Sequence, residues 1–139
     1  MRAVIDSCVG AASVLNEPNT AKAKALIEGY RQGIHELIAP DTFVAEVAHV
    51  LTKAERNKVI KAGEADTLFA EVLSVPPHLV GYLSLVPRAF EISIQAKIPF
   101  YDCVFVALAE KEKIDLITAD QKLINTLQLK YVRHVSTLP

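Results

Sequence analysis

The stretch YDCVFVALAEKEKIDLITAD, residues 101–120, decides how this chain is read. Cys103 to Ala109 is apolar on every side, which predicts a helix enclosed by the core rather than one lying on the surface. Asp115 to Thr118 is short, apolar and partly β-branched, which predicts a buried strand. One acid, Asp102, heads the helix, and another, Asp120, closes the strand. A helix feeding straight into a buried strand is the repeating unit of an α/β sheet.

The same alternation extends in both directions. Met1 to Asp6 predicts a first strand and Ser7 to Leu15 a short helix. Pro18 opens a second helix that runs to Gln32 and stops near Gly33, and His35 to Ala39 follows as a strand. Asp41 precedes a helix from Thr42 to Arg56, whose apolar positions Phe43, Val47, Val50, Leu51 and Ala54 form one stripe. Gly63 separates it from a helix over Glu64 to Leu73. Pro76-Pro77 breaks the chain, and an extended piece is expected from Leu79 to Leu83. A helix from Pro87 ends before Pro99, and the enclosed helix spans Tyr101 to Lys113. Asp120 to Leu127 and Lys130 to Val135 complete the chain as a helix and a strand. Neither side of Pro76-Pro77 holds enough strands to close a sheet. The expected fold is therefore α/β, one domain over residues 1–139, with a mainly parallel sheet of four to five strands and helices on both faces.

Bulk properties narrow the function. Apolar residues make up 51% of the 139, slightly above the usual share, and the surplus points to surface reserved for another protein, most economically a second copy. No apolar run approaches the roughly 18 residues of a membrane span, and Asp6 interrupts the one segment that could imitate a leader. A cytoplasmic protein is expected. Cys8 and Cys103 share no metal-binding spacing and are read as packing residues. A net charge of −1 excludes whole-protein attraction to nucleic acid. Locally, Lys53 to Lys61 carries four bases and one acid. That segment is either an ordinary solvated helix end or, through Lys53, Arg56 and Lys58, a track for phosphates.

In parallel sheets ligands sit beyond the carboxyl ends of the strands, where Asp6 and Asp120 both fall. With Glu46 and Asp102 they would make an all-oxygen nest suited to Mg²⁺ or Mn²⁺. Each acid also has a plainer reading. Asp6, Asp102 and Asp120 stand where aspartate caps helices, and Glu46 joins Thr42, His49 and Lys53 in a polar stripe that could be a solvated face.

Four blocks in order, Val4-Ile5-Asp6-Ser7, Pro40 to Val47, Tyr101 to Ala109 and Leu116 to Asp120, resemble the signature blocks of PIN domains. The resemblance covers essentially the whole chain. It implies that Asp6, Glu46, Asp102 and Asp120 match the family's acidic metal-binding and catalytic positions, and that Ser7 and Thr118 match its supporting hydroxyls. Chains of this size most resemble VapC-like toxins. The resemblance thus implies an Mg²⁺- or Mn²⁺-dependent endoribonuclease, a homodimer, an RNA substrate and a small antitoxin partner. His49 stands where many members carry asparagine, which fits a supporting or surface role better than metal ligation. Lys122 stands where some relatives add another acid. Alternatives are an RNA processing or decay nuclease without an antitoxin, a PIN fold kept only for protein binding, and a receiver-like phosphoacceptor module with Asp41 as the acceptor.

Overall fold

Ala3, Val4 and Ile5 are consecutive and all fully buried, a pattern possible only for a strand covered on both faces. This strand, β1 (Arg2–Ile5), is the middle of a five-stranded parallel sheet in the computed structural model, which describes residues Met1–Pro139. Its neighbours are β2 (Glu36–Pro40) on one side and β4 (Asp115–Thr118) on the other, while β3 (His78–Val80) and β5 (Val132–His134) form the edges. Val4 lies between Ile38 and Leu116 in register. The expected fold class is what the chain adopts.

The order β3-β2-β1-β4-β5 reverses direction at β1. Right-handed crossovers therefore put α1 (Ser7–Ala12), α2 (Thr20–Arg31), α3 (Thr42–Arg56) and α4 (Glu64–Ser74) on one face. The opposite face receives α5 (Val86–Ala96), α6 (Phe100–Glu112) and α7 (Gln121–Leu127). Packing follows this division: α1 and α4 lie on α3, and α5 lies on α6. α6 also covers β1, β2 and β4, and all seven residues from Cys103 to Ala109 are buried. Fully burying Phe105 and Leu108 contributes about 1.5–3 kcal/mol each, enough to hold the Asp102 end of α6 against the sheet.

A receiver-like module has strand order 2-1-3-4-5, so the observed order removes that reading. Asp41 instead accepts a hydrogen bond from the Tyr82 backbone N–H at 3.2 Å, tying the loop after β3 to the end of β2.

The boundaries moved where polar side chains intervene. α1 stops at Ala12 rather than Leu15 because the Ser13 hydroxyl turns back to the Gly10 carbonyl at 2.7 Å, a local competitor of helix bonding. α2 starts at Thr20 rather than Pro18, since Thr20 Oγ1 accepts from the Glu17 N–H at 3.0 Å and donates to the Leu15 carbonyl at 2.7 Å. The third strand is His78–Val80 rather than Leu79 to Leu83, and Leu83–Leu85 is a 3₁₀ turn. No single helix is long and apolar enough to cross a membrane.

One glycine sets the spacing between α1 and α3. A Cβ added to Gly10 would lie 2.6 Å from Phe43 Cζ and 3.4 Å from Val47 Cγ2, and Phe43 is itself buried. Gly10→Ala should therefore destabilise the protein by about 1–3 kcal/mol through overpacking, although alanine is the better helix former by about 1 kcal/mol. Urea denaturation checks this, and an unchanged or higher midpoint would contradict it.

Candidate active site

Asp6 is 4% exposed and follows the last residue of β1. Its backbone N–H still bonds the Ile117 carbonyl on β4 at 3.0 Å, so the ladder fixes where its carboxylate emerges. The helix-cap reading fails for Asp6, whose side chain makes no cap bond to α1. Instead Oδ2 accepts from the Thr118 hydroxyl at 2.8 Å, and Ser7 Oγ points at Oδ1 from 3.4 Å.

Thr118 links two acids. Its hydroxyl donates to Asp6 and accepts the backbone N–H of Asp120 at 3.0 Å. Cys8 joins this chain, contrary to the expectation that it only packs. Its Sγ accepts from the Ala119 N–H at 3.2 Å and stands 3.4 Å from Thr118 Oγ1. Because the one Thr118 proton is committed to Asp6, the thiol must be the donor in that contact. Burial and the Asp6 charge push the Cys8 thiol far up, so it stays protonated as this role requires. Cys103 packs as expected, fully buried, with its thiol raised to about 11 by burial and then by Asp102.

The other acids arrive on separate elements. Asp102 lies in the first turn of α6, half-buried, and its carboxylate makes no hydrogen bond within the chain. Asp120 does cap α7, accepting from the Leu123 N–H at 3.2 Å. With Asp102 it also lines a cavity of about 240 Å³. Glu46 faces inward from α3 rather than forming part of a solvated face: it is half-buried, and its Oε2 is buried without a hydrogen-bond partner. Thr42 Oγ1, one turn earlier, is likewise buried and unpartnered.

Asp6 and Asp102 lie within reach of the Asp120 charge, and Glu46 within reach of theirs. Burial first, and then the charges of Asp6 and Asp102, push Glu46 up to about 7. Thr42 opposes that rise from nearby but not in hydrogen-bonding geometry. Burial, Asp6 and Asp120 push Asp102 up to about 6. Asp6 is also raised, by burial and further by Asp120, against the hydrogen bonds from the Thr118 hydroxyl and the Ser7 backbone. Asp6 and Asp102 are thus central, each feeling the others, while Glu46 and Asp120 flank them.

The fit to a divalent cation can be judged on these atoms. All donors are carboxylate oxygens, the ligands magnesium and manganese take, and Glu46 Oε2 is an orphaned buried acceptor that a cation would satisfy. No group of three or more histidine, cysteine or acidic side chains stands close enough together to hold a metal ion by itself. Magnesium asks for less, since it commonly keeps several waters and one or two carboxylates.

The remaining sequence candidates lie outside this cluster. His49 is exposed, and its ring makes no hydrogen bond. Lys53, Arg56 and Lys58 are exposed on and just beyond the far end of α3. Sequence reasoning missed Cys8 and Thr42. The signal for Cys8 was its place two residues after Asp6, inside the first turn that the strand end must serve.

A five-stranded parallel sheet with four carboxylates at its direction reversal defines an acid-centred α/β site. Residues 3–127 match the PIN domain family model, and the chain belongs to that family of nucleases, whose members are in general metal-dependent. It is 29% identical to "Ribonuclease VapC3" of Pyrobaculum aerophilum over 125 residues, 88% of this chain and 92% of that one. Two solved structures share the fold. PAE2754 from Pyrobaculum aerophilum superposes with a TM-score of 0.72 at 19% identity, covering 99% of this chain and 94% of that chain. Mycobacterium tuberculosis VapC20, described as a sarcin-ricin loop cleaving toxin, gives 0.67 at 15%, covering 94% and 96%.

Proposed function

We propose that this chain is a metal-dependent endoribonuclease that hydrolyses RNA phosphodiester bonds, acting as the toxin of a VapBC-type toxin-antitoxin pair. The observation that carries this reading is the cluster of Asp6, Glu46, Asp102 and Asp120 with an unsatisfied buried oxygen on Glu46. Family membership and the likeness to a VapC ribonuclease support it. In this reading Asp6 and Asp102 hold the cation directly, and Glu46 and Asp120 complete its surroundings directly or through water. Bound Mg²⁺ or Mn²⁺ would place positive charge on a phosphate oxygen and lower the pKa of a water nucleophile.

The chain's own residues do the rest. The Thr118 hydroxyl keeps the buried Asp6 carboxylate oriented, and the Cys8 thiol fixes the Thr118 hydroxyl in turn. The half-buried setting of Glu46 and Asp102 strengthens any charge interaction there relative to water. Lys53 stands two helical turns beyond Glu46 on the same side of α3, about 10 Å away along the axis. With Arg56 and Lys58 it would guide the RNA backbone toward the acids. A homodimer and a small antitoxin that covers the site complete the proposal.

Incubating the purified chain with RNA and magnesium should yield internal cleavage products, and excess chelator should remove that activity. Cleavage undiminished in chelator would count against the metal-dependent reading.

A further inference from the structure

Two cations beside the acids have no role in the chemistry described above. The cavity of about 240 Å³ between the α5–α6 turn and the start of α7 is lined by Lys97, Pro99 and Asp102 and by Asp120, Lys122 and Thr126. An ammonium next to carboxylates ordinarily pairs with them, but neither Lys97 nor Lys122 is within 4 Å of an acid. Every ion pair in the chain is made by an arginine. Lysines and acids therefore share one cavity with no ion pair between them, the lysines exposed to solvent.

A ligand that satisfies both must be anionic toward the lysines and bring positive charge to the carboxylates. A phosphodiester accompanied by a divalent cation meets both demands. A carboxylate alone meets only the first, and an uncharged base meets neither. The lysines also spring from fixed backbone. The Lys97 N–H donates to the Ser93 carbonyl at 2.9 Å, and Ser93 Oγ donates to the carbonyl of Ile98 at 2.7 Å. Lys122 is the second residue of α7, whose start Asp120 caps.

We infer that Lys97 and Lys122 form a phosphate subsite that holds the RNA backbone against the open side of Asp102 and Asp120. This rests on the nuclease reading and extends it to residues outside the acidic quartet. Positive charge here takes up the side of the phosphate turned away from the carboxylates.

The test measures binding rather than turnover. A fluorescein-labelled single-stranded RNA oligonucleotide is titrated with the full chain in calcium, which supplies the cation the carboxylates need in place of magnesium, over a series of salt concentrations. Lys97→Gln and Lys122→Gln should each weaken binding by about 3- to 10-fold at low salt. Each should also lower the slope of log affinity against log salt by about 0.7, the value for one phosphate contact on a single strand. Lys122→Arg should retain both, and Lys111→Gln, at the far end of α6, should change neither. Unaltered affinity and slope in both glutamine variants would overturn the subsite, as would failure of the unmodified chain to bind the RNA. Cleavage is scored separately with magnesium. An unmodified chain that cuts, with binding indifferent to both lysines, loses the subsite alone. One that never cuts, with binding that depends on them, loses the nuclease reading alone.

Discussion

Asp102→Asn is expected to reduce RNA cleavage by at least about 100-fold while leaving the protein folded. Removal of a partner that merely supports a metal ligand typically costs 10–100-fold, and a direct ligand should exceed that. The substitution is informative because the Asp102 carboxylate makes no hydrogen bond within the chain and caps nothing. Its loss therefore touches the site and not the scaffold. Asparagine also removes a charge that Asp6 and Asp120 repel, so thermal stability should hold or rise. Asp6→Asn should be equally inactive, although its Thr118 bond must be rebuilt around an amide. Cleavage rates and circular-dichroism melting curves, taken together, check both variants. Full activity in a folded Asp102→Asn protein would remove Asp102 from the chemistry.

The second large effect is an inverted pH dependence of stability in chelator. Glu46 and Asp102 are raised to about 7 and about 6 by burial and by their acidic neighbours. The folded chain therefore keeps protons that the unfolded chain releases near pH 4. Stability from these groups is complete below about pH 4 and is lost as pH rises through 6 and 7. Both groups retain some solvent contact, which screens the penalty, so the combined loss is on the order of 3 kcal/mol. The chelated protein should melt several degrees lower at pH 7.5 than at pH 5. Magnesium should restore the difference at pH 7.5 and do little at pH 5, where protons compete for the same oxygens. A melting temperature that climbs steadily from pH 5 to 7.5 in chelator would show that the carboxylates are not crowded.

The fold was readable because its governing signals are apolar and local. Cys103 to Ala109, apolar on every side, pointed to an enclosed helix, and Ala3 to Ile5 and Leu116 to Ile117 pointed to covered strands. The four acids were legible because Asp6 and Asp120 end apolar strands and Asp102 heads an apolar helix, and the strand ends said where two of them would meet. Hydrogen-bond direction was not legible. Cys8 looked like filler until the Ala119 N–H and the Thr118 hydroxyl were seen to converge on its sulfur. Glu46 could not be told from a solvated residue by spacing alone, because helical periodicity gives a side chain's azimuth and not what stands opposite it. Helix ends were misjudged where a hydroxyl, Ser13 or Thr20, competed with backbone bonding.

The strand order has a consequence for timing. β4 is made late in synthesis yet inserts beside the first strand, and only that insertion brings the Thr118 hydroxyl and Asp120 to Asp6. Residues through Asp120 must leave the ribosome before the acids can meet. On the proposed reading as a nuclease, the nascent chain has no competent site until that insertion is made.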